Sequence, residues 1–169
     1  KGRYPNANAT NGGYLTFTSF SGDSSITGSL TGTPSYVGKE IVVRDASWII
    51  DISKVTSQSS GTLNLYPKLT YTPNLSSFHG NGYFFQNDSS FLDVQGEWSM
   101  DSATKRFQVY SSTNPSGNAQ ISTIDTLIYV NQHSYITFDN LSIQGANKAA
   151  FQFDSLSSIT IQNCSINYS

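Results

Sequence analysis

The chain has 169 residues, nine of them Lys or Arg and eleven Asp or Glu, for a formal net charge of −2. That length suffices for one sizeable core or two small ones. Charged residues are only 12% of the total and the basic ones are scattered, which argues against phosphate-backbone binding, and no apolar run approaches the ~18 residues of a membrane span.

Ser, Thr, Asn, Gly and Tyr are abundant, and β-branched and aromatic residues fall in short runs. This is the composition of a β-rich extracellular or cell-surface protein. The single cysteine, Cys164, leaves no internal disulfide. It occupies an apolar-periodic position, so a buried core thiol is expected. Lys1 is followed by no hydrophobic leader, as expected of a mature or excised segment.

Taken in chain order, the first part alternates apolar and polar residues between Gly, Ser, Pro and Asn. The stretches are 12–20, 39–45, 47–58, 61–73, 82–88 and 90–112. The last contains a predicted hairpin, Glu97–Met100 against Arg106–Tyr110, around the turn 101–105. No stretch keeps helical periodicity beyond two turns. Residues 1–112 are expected to form an antiparallel β domain, and "SSTNPSGNAQ" (111–120) is the loop out of it.

Residues 113–169 follow another rule. Ile136 and Ile159, Phe138 and Ile161, Asn140 and Asn163, Leu141 and Cys164, and Ile143 and Ile166 are each 23 apart. Backward at the same offset, Phe151 maps to Ile128 and Phe153 to Val130. Each copy carries three short alternating runs, which predicts three half-buried strands per period. Only two residues separate Phe138 from Leu141, too few for an antiparallel reversal but enough for a bend between two strands of one coil. The expectation is a solenoid whose coils stack in parallel. Asn140 and Asn163 would sit at the bend, where Asn tolerates left-handed backbone, and form a structural Asn ladder.

The order of "GRYPNAN" (2–8), "GNGYFFQND" (80–88), the Gly96-Glu97-Trp98…Asp101 hairpin and "YITFDNLSIQGA" (135–146) resembles bacterial secreted right-handed parallel β-helix proteins of the pectin-lyase-like superfamily. It is most similar to the glycoside-hydrolase-like type with a β domain inserted between coils. The resemblance implies an all-β chain: an antiparallel β domain, then the first coils of a right-handed parallel β-helix, in a segment of a larger protein whose remaining chain supplies further coils. It also implies a secreted protein engaged with polysaccharide.

Chemistry is sparse. A glycosidase needs two carboxylates at a set separation, but Asp139 maps to Gln162 and Asp154 to Asn131 one period away. No catalytic residue is assigned, and the acids of any glycoside hydrolase or polysaccharide lyase built on this chain are expected outside it. Glu97 and Asp101 flank the hairpin, where Asp101 is expected to start the turn and Trp98 to pack. His79 and His133 have no ligand spacing to each other or to Cys164, so no metal and no cofactor is expected. Aromatic residues are dense, and sugar C–H faces stack on aromatic rings. Tyr66 and Tyr71, beside Pro67 and Pro73, and Trp98 are the candidate carbohydrate-binding residues.

Asp-Ser-Ala (101–103), Asp-Thr-Leu (125–127) and Asp-Ser-Leu (154–156) fit a short O-glycosylation consensus of some Gram-negative secreted proteins. Asn8-Ala-Thr, Asn74-Leu-Ser and Asn87-Asp-Ser fit the eukaryotic N-linked sequon. The functional expectation is a glycan-binding or glycan-degrading protein supplying scaffold and groove wall. The alternative is a non-enzymatic adhesin or structural solenoid.

Overall fold

The computed structural model describes residues 1–46, 48–73 and 82–167. Among them the chain is all β, with no α-helix. It divides into two compact units, Lys1–Asn114 and Pro115–Ser169.

The first unit holds β1 (Arg3–Tyr4), β2 (Phe17–Ser21), β3 (Ser25–Gly28), β4 (Glu40–Ala46), β5 (Ile49–Ser59), β6 (Thr62–Tyr66) and β7 (Gly82–Gln86). They form one antiparallel seven-stranded sheet in the order β1-β7-β4-β5-β6-β3-β2. Alternation along these strands divides the sheet into two faces. Ile41 and Val43 of β4, Val55 of β5, Leu63 and Leu65 of β6 and Tyr83 and Phe85 of β7 enter the core. Each such side chain contributes roughly 1.5–3 kcal/mol of burial free energy. The Tyr36 ring stacks on Phe85 at 3.9 Å between centroids, and Phe91 closes the same cluster.

β7 is buried on both faces, which its sequence Tyr-Phe-Phe permits. On the face away from the core, Phe84 lies under the Arg3 guanidinium, 3.6 Å from the ring centroid, and against the edge of Tyr14. Arg3 also donates to the carbonyls of Pro5 and Gly13, so one side chain pins the "GRYPNAN" segment to the sheet. Gly82 is required here, because a Cβ would stand 2.8 Å from that of Tyr14.

β8 (Trp98–Asp101) and β9 (Arg106–Val109) form a separate antiparallel hairpin. The Asp101 carboxylate accepts from the Ala103 and Thr104 amides and the Thr104 hydroxyl. Those bonds make the turn.

The second unit holds β10 (Thr126–Asn131), β11 (Ile136–Asp139), β12 (Ser142–Gln144), β13 (Ala149–Asp154), β14 (Ile159–Gln162) and β15 (Ser165–Asn167). β10 pairs with β13, β11 with β14 and β12 with β15, all parallel, with Thr126 opposite Ala149, Ile136 opposite Ile159 and Ser142 opposite Ser165. The 23-residue spacing in the sequence is thus the register of three parallel pairs. Left-handed backbone recurs at the same spacing: Gln132 and Ser155, Tyr135 and Ser158, Asn140 and Asn163 all have φ between 52° and 62°. Between the strands, Phe138 packs against Phe151 and Phe153 at 5.1 and 6.2 Å.

Two expectations change here. Cys164 is half-buried rather than buried, with its thiol donating to the carbonyls of Gln162 and Phe138. Leu141 is exposed, and Ile143 is the residue of that strand that enters the interior. For Cys164 the reason is that the described residues place no third strand alongside β14 and β15, so that coil buries less than its pattern predicts.

Candidate functional site

The outer face of the seven-stranded sheet carries a row of four side chains across four strands. Gln86 of β7 pairs with Glu40 of β4, Glu40 with Lys54 of β5, and Lys54 with Tyr66 of β6. Residues directly opposite on neighbouring strands lie within side-chain reach of each other, so the row is continuous. Tyr66 ends it with 70% of its surface exposed.

The β8–β9 hairpin stands beside this row and turns it into a cleft of about 310 Å3. Glu40 and Lys54 line one side, and Ser99, Asp101 and Gln108 the other. Alternation brings Ser99, Asp101 and Gln108 to the cleft, and Met100 joins the lining at the point where Asn87 binds its backbone. Ser99, Asp101 and Gln108 share one face of the hairpin, while Trp98, Met100 and Phe107 share the other. Asn87 locks the hairpin to the end of β7. Its side-chain amide donates to the Met100 carbonyl at 3.2 Å, and its side-chain oxygen accepts from the Met100 amide at 2.9 Å. Asn87 has φ of 62°, a conformation in which Asn is several-fold enriched.

Every acid in the cleft is engaged. The Glu40 carboxylate accepts from Lys1 at 2.9 Å, from Gln86 at 2.6 Å and from Asn87 at 3.4 Å. Asp88 is paired with Lys39 and accepts from the Ser90 amide and hydroxyl. Burial works against the Asp88 charge, but Lys39 and Ser90 outweigh it and hold the carboxyl below its ordinary range. The hydroxyl of Thr104, then the amides of Ala103 and Thr104, hold Asp101 low as well. All three carboxylates accept hydrogen bonds, and Asp88 and Asp101 are held in the ionised form.

No family model, curated protein or solved structure matches the chain. The properties of the cleft therefore rest on its own geometry.

The three aromatic candidates fare differently. Tyr66 is exposed at the end of the polar row. Tyr71 is also exposed, and its neighbour Thr70 is held by Asp51, which accepts from the Thr70 amide at 2.6 Å and hydroxyl at 2.7 Å. Trp98 packs against Phe107 at 5.5 Å, on the hairpin face away from the cleft, with the Lys1 ammonium 5.9 Å above its ring. Two other aromatics of that domain, Tyr36 and Tyr83, are core residues. Burial pushes both hydroxyls up to about 12. Glu97 is a structural acid, accepting the backbone amides of Asp93 and Val94.

In the second unit the Asn163 amide donates to Asp139 at 2.9 Å, and Gln162 donates to the other oxygen of the same carboxylate. The ladder at this corner thus runs from amide to carboxylate, with Asn140 contributing its left-handed backbone. Gln162 and then Asn163 hold Asp139 below the usual carboxylate range. Asp154 accepts from the Tyr129 hydroxyl at 2.8 Å. Among the described residues no group of three or more His, Cys, Asp or Glu is placed to hold a metal ion. His79 and Asn74 lie outside the described residues.

Sequence reasoning missed Lys54, Gln108 and Asn87 as contributors to one cleft. The only sequence signal was Lys54 on the outer phase of a long alternating strand. The cross-strand register that brings it to Glu40 and Tyr66 is set by the fold.

Proposed function

We propose that this chain is an extracellular glycan-binding protein, in which the cleft between the seven-stranded sheet and the β8–β9 hairpin takes up a saccharide. The observation that carries this reading is the row Gln86–Glu40–Lys54–Tyr66, ending on an exposed aromatic ring beside a polar cleft. A sugar presents two kinds of surface at once: a C–H face that stacks on a ring, and hydroxyls that exchange hydrogen bonds. Tyr66 serves the first. Lys54, Gln108 and the carboxylate oxygens of Glu40 and Asp101 serve the second. The state of the acids favours binding over hydrolysis. A glycosidase keeps one carboxyl protonated as general acid, whereas Asp88 and Asp101 are both held in the ionised form.

The second unit, in this reading, is two turns of a right-handed parallel β-helix that acts as a rigid scaffold. Its three parallel pairs at one 23-residue register and its recurrent left-handed corners support that. A second reading, a structural solenoid or adhesin without glycan affinity, has one observation in its favour. Polar side chains on the coils bond mainly to the next turn, as Ser134 does to Ser157 and Asp125 to Lys148.

A glycan array probed with the whole chain, followed by calorimetry on the retained glycans, separates the two. Binding is expected, with Tyr66→Ala weakening it by about tenfold, the scale of one lost ring contact, and Gln108→Ala by a similar factor. An array silent at millimolar glycan, or retention that Tyr66→Ala leaves unchanged, supports the solenoid reading and removes this one.

A further inference from the structure

Three segments of the chain match an Asp-Ser/Thr-apolar acceptor pattern for O-linked glycans, and the fold treats them differently. Thr126 of Asp125-Thr126-Leu127 opens β10, paired with Ala149 in a parallel ladder. It is half-buried, and its hydroxyl points to the Gln152 side chain at 3.3 Å. Lys148 is paired with the preceding Asp125. A hydroxyl committed to an extended ladder cannot be lifted into a transferase site without breaking strand pairing.

Ser102 and Ser155 are placed in the opposite way. Ser102 is exposed at the start of the β8–β9 turn, where Asp101 binds the amides of Ala103 and Thr104. Ser155 is exposed at the corner after β13, with φ of 55°. The Asp154 carboxylate is turned back to the Tyr129 hydroxyl. Neither serine hydroxyl has a hydrogen-bond partner among the described residues. The coil carries its own control: one period earlier the same left-handed corner is occupied by Gln132, which has no hydroxyl.

We propose that Ser102 and Ser155 are O-glycan acceptors and that Thr126, despite its matching sequence, is not. The donor is an activated glycosyl carrier with a phosphate or diphosphate leaving group. The serine Oγ attacks the anomeric carbon and forms the new C–O bond. The bond from that carbon to the phosphate oxygen breaks, and its electron pair leaves with the phosphate. The hydroxyl proton passes to a base of the transferase. A glycan on Ser102, which lines the cleft of the first unit, stands at the cleft mouth. One on Ser155 belongs to the second unit.

The test is intact mass and glycopeptide sequencing of the whole chain, secreted from a Gram-negative host that carries Asp-directed O-glycosylation and from one that lacks it. The expected result is glycan on the Ser102 and Ser155 peptides only, and only from the first host. Ser102→Ala and Ser155→Ala should each remove one increment, and Thr126→Ala should remove none. Glycan on the Thr126 peptide overturns the proposal. So does an unmodified chain from a host that modifies a control acceptor in the same culture. Both readouts are masses, so they stand whether or not the cleft binds a saccharide.

Discussion

Asp45 is the residue whose environment most conflicts with its chemistry. It sits at the bulge where β4 departs from regular pairing with β5, only 1% exposed, and neither carboxylate oxygen has a hydrogen-bond partner among the described residues. The amides of Ala46 and Tyr71 lie near it without reaching hydrogen-bond geometry, and Asp51 adds a like charge. Burial, reinforced by Asp51, raises its proton affinity above that of an ordinary aspartate. Between the unfolded value of about 4 and the raised folded one, the native state binds more protons, so this residue's contribution falls as pH rises. Asp45→Asn should therefore gain stability relative to the parent as pH rises from 4 to 8, and gain nothing at pH 3. Urea midpoints across that range measure it, and a pH-independent gap would show that the charge is not responsible. The sequence "VVRDASW" gives no warning of this, because a strand-end aspartate is usually solvated.

Among elements, the β8–β9 hairpin depends most on one side chain. Its turn was legible beforehand: Asp101 and the residues after it spell a hairpin, and Asp101 makes the turn as expected. How it is held to the sheet was not legible. Asn87 stood out in the sequence only as part of a sequon. In the structure its amide is occupied by Met100 and Glu40, which leaves it no room for a glycan. Asn87→Gly keeps the left-handed backbone and deletes the clamp. It should cost roughly 1 to 3 kcal/mol, the range for losing part-buried hydrogen bonds, and weaken any ligand of the cleft in parallel. A variant with parental stability in chemical denaturation would show that the hairpin is held by other contacts.

For the whole molecule, the open strands of the second unit have the largest consequence. Each of its three sheets holds only two strands among the described residues, and Ile161 and Ile166 are 41% and 42% exposed beside them. Unpaired edges with apolar neighbours promote association. Sedimentation of residues 1–169 alone should show self-association that rises with concentration, and Ile161→Lys should suppress it. Association unchanged by that substitution would place the contact elsewhere.

Sequence alone determined the periodicities. Alternation marked the strands, and the 23-residue spacing of Ile136 from Ile159 and of Phe138 from Ile161 became the parallel register. Both follow from local rules, since side chains alternate along a strand and a repeat must match itself. Two of the three left-handed corner pairs escaped notice, because Gln132, Tyr135, Ser155 and Ser158 are not residues that announce such backbone. Tertiary structure decided which residues meet across strands. Glu40, Lys54 and Tyr66 are far apart in sequence and share a row only because β4, β5 and β6 pair in one particular register. It also decided which aromatics are available, sending Tyr36 and Tyr83 into the core and leaving Tyr66 on the surface. Tyr66 and Tyr83 are both strand tyrosines, and only the face on which each falls, set by pairing between distant strands, distinguishes a core ring from a surface platform.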